Sequence, residues 1–344
     1  MIDSHHISLT VGRQPVALIT GATGTLGPVL IRRLVTQGYQ VRVFNRRLPP
    51  MGTFSETVRV FLGEITDTRT LRSAMDGTDV VFHLAAKLHI DNPTSELLGE
   101  YERVNVEGTR CVVETAQIVG VQRLVFFSTI AVYGNSNDQI LTEDSPAKPD
   151  TFYAKTKLAA ERIVLDAKRT DGQSLGAVLR FAAIYGPRIK GNYQRLVHAL
   201  AHGRFIPIGD GNNRRTLIYD RDVARAAVLA VEHPDAAGSI YNVSDGGFHT
   251  LSEIISTMCA ALGRRPPRFS VPVAPGRFVA GVLENAAKLF GRCSTVTRAT
   301  IDKYTEDIAV NSERIQKELG FIPQYDLETG WRETIQEMRE QGAL

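Results

Sequence analysis

Tyr153 and Lys157 stand four residues apart in the run Thr151-Phe152-Tyr153-Ala154-Lys155-Thr156-Lys157. On a helix that spacing puts a phenol and an ammonium on one face. An unperturbed phenol titrates near pH ~10, and a nearby ammonium favours the phenolate. Such a pair can exchange a proton with a substrate alcohol or ketone near neutrality. An ordinary surface helix produces the same spacing by chance, so the pair takes its meaning from the elements that would have to hold it.

Those elements are legible as apolar runs alternating with helical stretches. Runs at 16–20, 41–44, 58–61, 80–84, 124–127 and 177–180 are mostly separated by helix-period segments, with Gly38 capping the first helix. Strands spaced by helices imply an α/β fold with a doubly wound parallel sheet of Rossmann type. After Tyr185-Gly186-Pro187-Arg188 the rhythm changes to a turn-rich 207–213, a strand-like 216–219, and helices near 222–232, 252–262, 312–319 and 327–339. The division predicted is a flexible N-terminal arm at 1–14, a dinucleotide-binding domain at 15–186, and a smaller C-terminal α/β substrate lobe at 187–344. Some segments of that lobe return to the Rossmann core.

Composition narrows the classes. The 344 residues are 43% hydrophobic and 22% charged, ordinary for a soluble globular enzyme. No stretch approaches the ~20 apolar residues that span a bilayer, and 271–290 is broken by prolines and charges. That segment suits a partly buried or lipid-touching helix. The net charge is +3 and Lys and Arg are scattered, which argues against a nucleic-acid partner. Cys111, Cys259 and Cys293 are far apart and odd in number, against a disulfide framework or structural zinc, so the cytoplasm is the expected compartment. No metal is expected; His5 and His6 are a weak candidate pair in the N-terminal arm.

Gly21, Gly24 and Gly27 directly follow the first strand and open the first helix. In that context glycines let backbone approach a pyrophosphate, and the helix N-terminus offers unpaired N–H groups and partial positive charge. Thr23, Thr25 and Leu26 belong to the same turn. At the end of the second strand, where an acidic residue would bind the ribose 2′-hydroxyl of NAD, the chain carries Asn45-Arg46-Arg47. An arginine pairs with a 2′-phosphate through two parallel hydrogen bonds, so NADP is favoured over NAD. Glu64 and Ile65 are placed to contact adenine, and Leu84, Ala85 and Ala86 to let the cofactor approach the fourth strand.

Together these residues resemble the extended short-chain dehydrogenase/reductase family, also called the NAD-dependent epimerase/dehydratase family. The likeness runs nearly end to end. It is carried by the glycine turn, Gly63-Glu64, His83-Leu84-Ala85-Ala86, Asn105 to Thr109, Ser128-Thr129 before Val132-Tyr133-Gly134, Tyr153 and Lys157, Tyr185 to Arg188, and Asn242 to Gly246. The resemblance implies that Thr129 hydrogen-bonds the reacting oxygen, that Tyr153 is the acid/base, and that Lys157 tunes it and holds the nicotinamide ribose. Asn105 is then a helix-stabilising residue. Sugar 4,6-dehydratases of the family carry Asp-Glu after this threonine, whereas here the positions are Ile130 and Ala131, so dehydration is disfavoured.

What remains is C4 epimerisation or 4-ketoreduction of a nucleotide sugar, with a UDP- or dTDP-sugar as substrate. Lys87, Asn192, Arg215 and Arg292 join Thr129 and Tyr153 as candidate substrate-binding residues. The Arg-Pro-Gly-Asp diphosphate clamp of many family epimerases is missing, and the corresponding region reads Ile301 to Asp307. Residues 266–300 also resemble family members that act on steroids or other apolar alcohols. An NADP-dependent apolar-alcohol dehydrogenase is therefore the alternative, and a non-catalytic cofactor-binding sensor a second one. Relatives dimerise through two helices each, which here correspond to 105–119 and 153–169, so a homodimer is expected.

Overall fold

Seven short strands pair in parallel in the order β10-β6-β5-β4-β1-β2-β3. They are β1 (Val16–Thr20), β2 (Gln40–Asn45), β3 (Arg59–Leu62), β4 (Val80–His83), β5 (Arg123–Thr129), β6 (Gly176–Phe181) and β10 (Ile240–Val243). The computed structural model describes residues 13–88, 95–136, 138–188, 190–289 and 297–344. β1, β4 and β6 are buried along their whole length, because helices cover both faces of the sheet. Side chains alternate between the two layers: Ala17 and Ile19 join one core and Leu18 the other.

On one face lie α1 (Gly27–Thr36) and α7 (Asp220–Glu232). The other carries α2 (Thr68–Met75), α3 (Ser95–Tyr101), a π-helical turn at Glu102–Glu107, α4 (Gly108–Val119) and α5 (Phe152–Asp166). The smaller lobe contains β7 (Ala183–Tyr185), α6 (Asn192–Ala201), β8 (Arg214–Arg215), β9 (Leu217–Tyr219), β11 (His249–Thr250), α8 (Leu251–Leu262), α9 (Val273–Leu289), α10 (Arg298–Thr305) and α12 (Leu327–Glu340), while α11 (Glu313–Leu319) packs Ile315 and Leu319 into the sheet's own core. Its core centres on buried Trp331, which stacks on Tyr185 at 4.6 Å between ring centroids.

The sheet confirms the doubly wound α/β reading, and every strand expected in it is present. β10 adds a seventh, paired in parallel with β6. Arg13, assigned to a loose arm, is tied down instead: its guanidinium makes two bonds of 3.0 and 2.6 Å to Asp79. Asp79 also accepts from the Val16 amide at 2.7 Å, so this pair fixes the start of β1. His5 and His6 lie outside the described residues, and no cluster of metal-ligating side chains occurs among the described ones.

Candidate active site

The glycine turn is held by close backbone approach. Gly21 adopts φ +74°, and a Cβ there would lie 2.7 Å from the Ala85 backbone; at Gly27 it would lie 1.9 Å from the Ala22 carbonyl oxygen. Only glycine fits either position. The Gly24 amide donates to the Gly21 carbonyl at 3.0 Å, and the Gly27 amide to Gly24 at 3.2 Å. α1 then begins with no side-chain cap and no acidic residue in its first turn. Its N–H groups and positive dipole end are free to face an anion, with exposed Thr23 and half-buried Thr25 and Leu26 at the mouth.

At the far end of this site Asn45 is 4% exposed, yet neither its side-chain nitrogen nor its oxygen has a hydrogen-bond partner. An unpaired buried amide costs about 1–3 kcal/mol. A ribose hydroxyl would supply the missing partners, so the residue fits a dinucleotide. Arg46 and Arg47 follow, both exposed. Glu64 is exposed and pairs with Arg103 at 3.7 Å. The Ile65 side chain is instead core, packed against Gly108. Leu84, Ala85 and Ala86 are half-buried beyond β4.

His83 sets the geometry of that loop from beneath. It is fully buried, with Nδ1 2.6 Å from the Thr20 hydroxyl and Nε2 3.0 Å from the Thr109 hydroxyl. Thr109 gives its one proton to the Asn105 carbonyl at 2.7 Å, so it must accept from Nε2–H. Nδ1 is then the acceptor for Thr20, whose oxygen receives the Ala85 amide at 3.3 Å. The Asn105 amide is spent on tertiary bonds: it accepts from Lys87 N at 2.7 Å and donates to Lys87 O at 3.2 Å and the Thr156 hydroxyl at 3.0 Å. The π-helical turn, which re-aims side chains within a helix, carries Asn105. It clamps loop to catalytic-face helix rather than merely supporting its own helix.

Burial, with the Lys157 charge adding to it, pushes the His83 imidazole down to about 3. In the unfolded chain it binds a proton near pH ~6.5. The unfolded state therefore holds the extra proton between those values, and stability falls as pH drops through that window, by up to about 1.4 kcal/mol per pH unit. His83→Gln should flatten the fall of melting temperature between pH 6 and pH 4 seen in the parent, at about those pH values; an unchanged slope would assign the acid sensitivity elsewhere.

Thr129 ends β5 and caps the following turn: its Oγ1 accepts from the Ala131 amide at 3.2 Å, which leaves the hydroxyl proton available to donate. α5 starts at the Thr151 cap, whose hydroxyl accepts from the Ala154 amide at 3.2 Å. That start places half-buried Tyr153 in the first turn and Lys157 one turn deeper, 2% exposed. Lys157 Nζ sits 3.8 Å from the centroid of the Phe126 ring.

Burial works against the lowering of the phenol that Lys157 would bring. Burial, then the neighbouring Tyr101, push Tyr153 up to about 12. Burial also pushes Lys157 down to about 7, against the opposing charge of Glu161. Desolvating an anion outweighs the attraction of a lysine that is itself losing its charge. Tyr153 is thus a phenol at neutral pH, able to give a proton.

Beneath this pair lies a group the sequence reading missed. Glu161, 1% exposed, accepts from Ser128 Oγ at 2.5 Å and from Arg180 Nη2 at 2.6 Å. Arg180 Nη1 donates to the Tyr133 hydroxyl at 2.8 Å, which donates to Asn242 Oδ1 at 2.8 Å. The available signal was Glu161 itself, a charge one turn beyond Lys157 on the face that must be inward.

In the smaller lobe Asn192 opens α6, directly before Tyr193, whose hydroxyl is pushed up to about 12 by burial, against the charge of Arg215. Arg215 does not project freely; its Nη2 donates to the carbonyls of Lys303 at 2.6 Å and Tyr304 at 3.1 Å. Arg214 is paired with Asp307 at 2.7 Å. The Lys87 ammonium is paired with Glu100 on α3. Arg292 lies outside the described residues.

The fold and this site define a nicotinamide-dinucleotide-dependent enzyme of the extended short-chain dehydrogenase/reductase class. A model of the NAD dependent epimerase/dehydratase family matches residues 17–244, and the chain belongs to that family. It is 27% identical to the UDP-glucose 4-epimerase of Vibrio cholerae over 325 residues, covering 93% of this chain and 94% of the relative. The sterol-4-alpha-carboxylate 3-dehydrogenase, decarboxylating, of Mus musculus is 29% identical over 290 residues, 82% of this chain and 78% of that one. Among solved structures, MoeE5 in complex with UDP-glucose and NAD superposes with a TM-score of 0.74 at 27% identity, covering 94% of this chain and 99% of the other.

Proposed function

We propose that this enzyme interconverts a carbinol and a ketone at C4 of a UDP- or dTDP-sugar, with Tyr153 as acid/base and Thr129 as hydrogen-bond donor to the reacting oxygen. What supports this reading is that Thr129 ends β5, Tyr153 lies in the first turn of α5, and Lys157 Nζ lies over the Phe126 ring of that same strand β5, in a parallel sheet whose β1 leads into the glycine turn. The bound dinucleotide supplies or accepts the hydride. The Gly21–Gly27 turn would hold its pyrophosphate, Asn45 and Arg46 the adenosine ribose, and Lys157 the nicotinamide ribose. Ile130 is buried in the core and Ala131 bears no titratable group, so neither can serve the acid/base work that elimination of water needs.

One feature favours net 4-ketoreduction with NADPH over epimerisation. The end of β2 carries Asn45-Arg46-Arg47 and no carboxylate to repel a 2′-phosphate. A homodimer through α4 and α5 and a cytoplasmic location complete the proposal.

An NADPH-dependent apolar-ketone reductase is the second reading, favoured by Arg215 being engaged with backbone carbonyls. One experiment separates the two. Melting temperature is measured with NADPH or NADH, then with added UDP-sugars, dTDP-sugars or a steroid ketone. A ligand at 100 times its Kd adds about 2.7 kcal/mol of stability. The lead reading expects a larger shift with NADPH than NADH and a further shift with a nucleotide sugar; a shift with the steroid alone selects the second reading.

A further inference from the structure

α9 is built inside out. Its inward face carries small residues: Ala280 is 1% exposed, Gly276 lies against Ile208, and Gly281 against the Arg298 side chain. Its large apolar residues point to solvent, Phe278 74% exposed, Val279 55%, Val282 52% and Leu283 48%. They recur at the three- and four-residue spacings of one helical face. A helix that simply completes a core shows the reverse.

The stripe continues onto the neighbouring loop. Ile208 and Val271 form a parallel bridge, with the Gly209 amide donating to Val271 O at 2.8 Å and the Val271 amide to Pro207 O at 2.9 Å. That register sets Ile206, 65% exposed, level with Phe269, 85% exposed. Two charges on α9 are neutralised in place, Arg277 by Asp302 at 2.8 Å and Glu284 by Arg298 at 3.5 Å. Arg204 stands two residues before Ile206, and Arg264, Arg265 and Arg268 lead up to Phe269 in the chain; all four are exposed, with no ion pair among the described residues. A large apolar patch bordered by unpaired cations is complementary to one kind of surface.

We propose that α9, with Ile206 and Phe269, docks this protein on an anionic lipid bilayer, the apolar stripe entering the headgroup boundary and the four arginines binding lipid phosphates or carboxylates. The helix lies on the surface; among the described residues no helix is long and apolar enough to cross a membrane. A second copy fits the patch less well, because a two-fold contact repeats the same surface on both partners and brings the two arginine clusters together. Docking here also orients the substrate lobe, since the loop that pairs with Val271 runs on to β8 and Arg215.

The test is co-sedimentation of the whole protein with vesicles of phosphatidylcholine alone and with about 30% phosphatidylserine added. Binding to the anionic vesicles that is lost at high salt is expected, with little on phosphatidylcholine. Arg265→Gln and Arg268→Gln should each weaken it about fivefold, and Phe278→Glu with Val282→Glu should bring it to background while turnover of a soluble substrate persists. No binding by the wild type to anionic vesicles at low salt overturns the proposal. So does a concentration-dependent dimer that Phe278→Glu dissociates while vesicles leave it intact, an outcome that assigns the stripe to contact between copies. Capture of an acidic protein in place of anionic vesicles overturns it too.

Discussion

Tyr153→Phe is expected to lower kcat by about 10²–10⁴-fold, the range that general acid/base catalysis contributes, while the dinucleotide binds as tightly as before. The hydroxyl is the only group removed, and α5 keeps its cap at Thr151 and its inward face at Lys157, so the site's frame is unchanged. Loss confined to kcat marks an interaction made in the transition state; a rise in KM alone would mark one made equally in the ground state. Single-turnover reduction with NADPH, read by the fall in nicotinamide absorbance, and cofactor titration separate these outcomes. Turnover within tenfold of the parent, at about the same KM, would remove Tyr153 from the chemistry.

How much of this was legible in the sequence depends on the range of the interaction. The sheet could be read because its central strands are apolar without interruption, and the glycine turn because Gly21 and Gly27 answer to local close approach. β7 and β10 went unread as strands. Spacing reveals the charged neighbour of Tyr153 but not the burial that opposes its effect. Arg214 and Arg215 are adjacent in the chain, yet one meets Asp307 and the other the carbonyls at the end of α10, partners some ninety residues away. The roles of Asn105 and Glu161 are of the same kind, visible only when the loop after β4 and strand β6 are laid against α5.

Glu161→Ala should destabilise the fold by about 3–5 kcal/mol, the cost of leaving a buried charge without its partner. Arg180 is 4% exposed and directs three of its contacts at Glu161, Nε at 3.0 and 3.2 Å and Nη2 at 2.6 Å, so no solvent replaces the lost carboxylate. Replacing both partners by apolar residues, Glu161→Leu with Arg180→Met, removes the unpaired charge as well and should recover most of that loss. A purely structural pair would leave the chemistry of the double variant as it was. Glu161, however, supplies the charge that opposes the burial-driven fall of Lys157 to about 7. Without that carboxylate the lysine must titrate lower still, so the limb it contributes to the pH–rate profile near neutrality should move to lower pH. Urea unfolding and a pH–rate profile of the double variant test both halves. If the double variant is as unstable as Glu161→Ala, the pair is not the source of the loss; if it is stable and the limb stays in place, Glu161 holds α5 to the sheet without positioning or tuning Lys157.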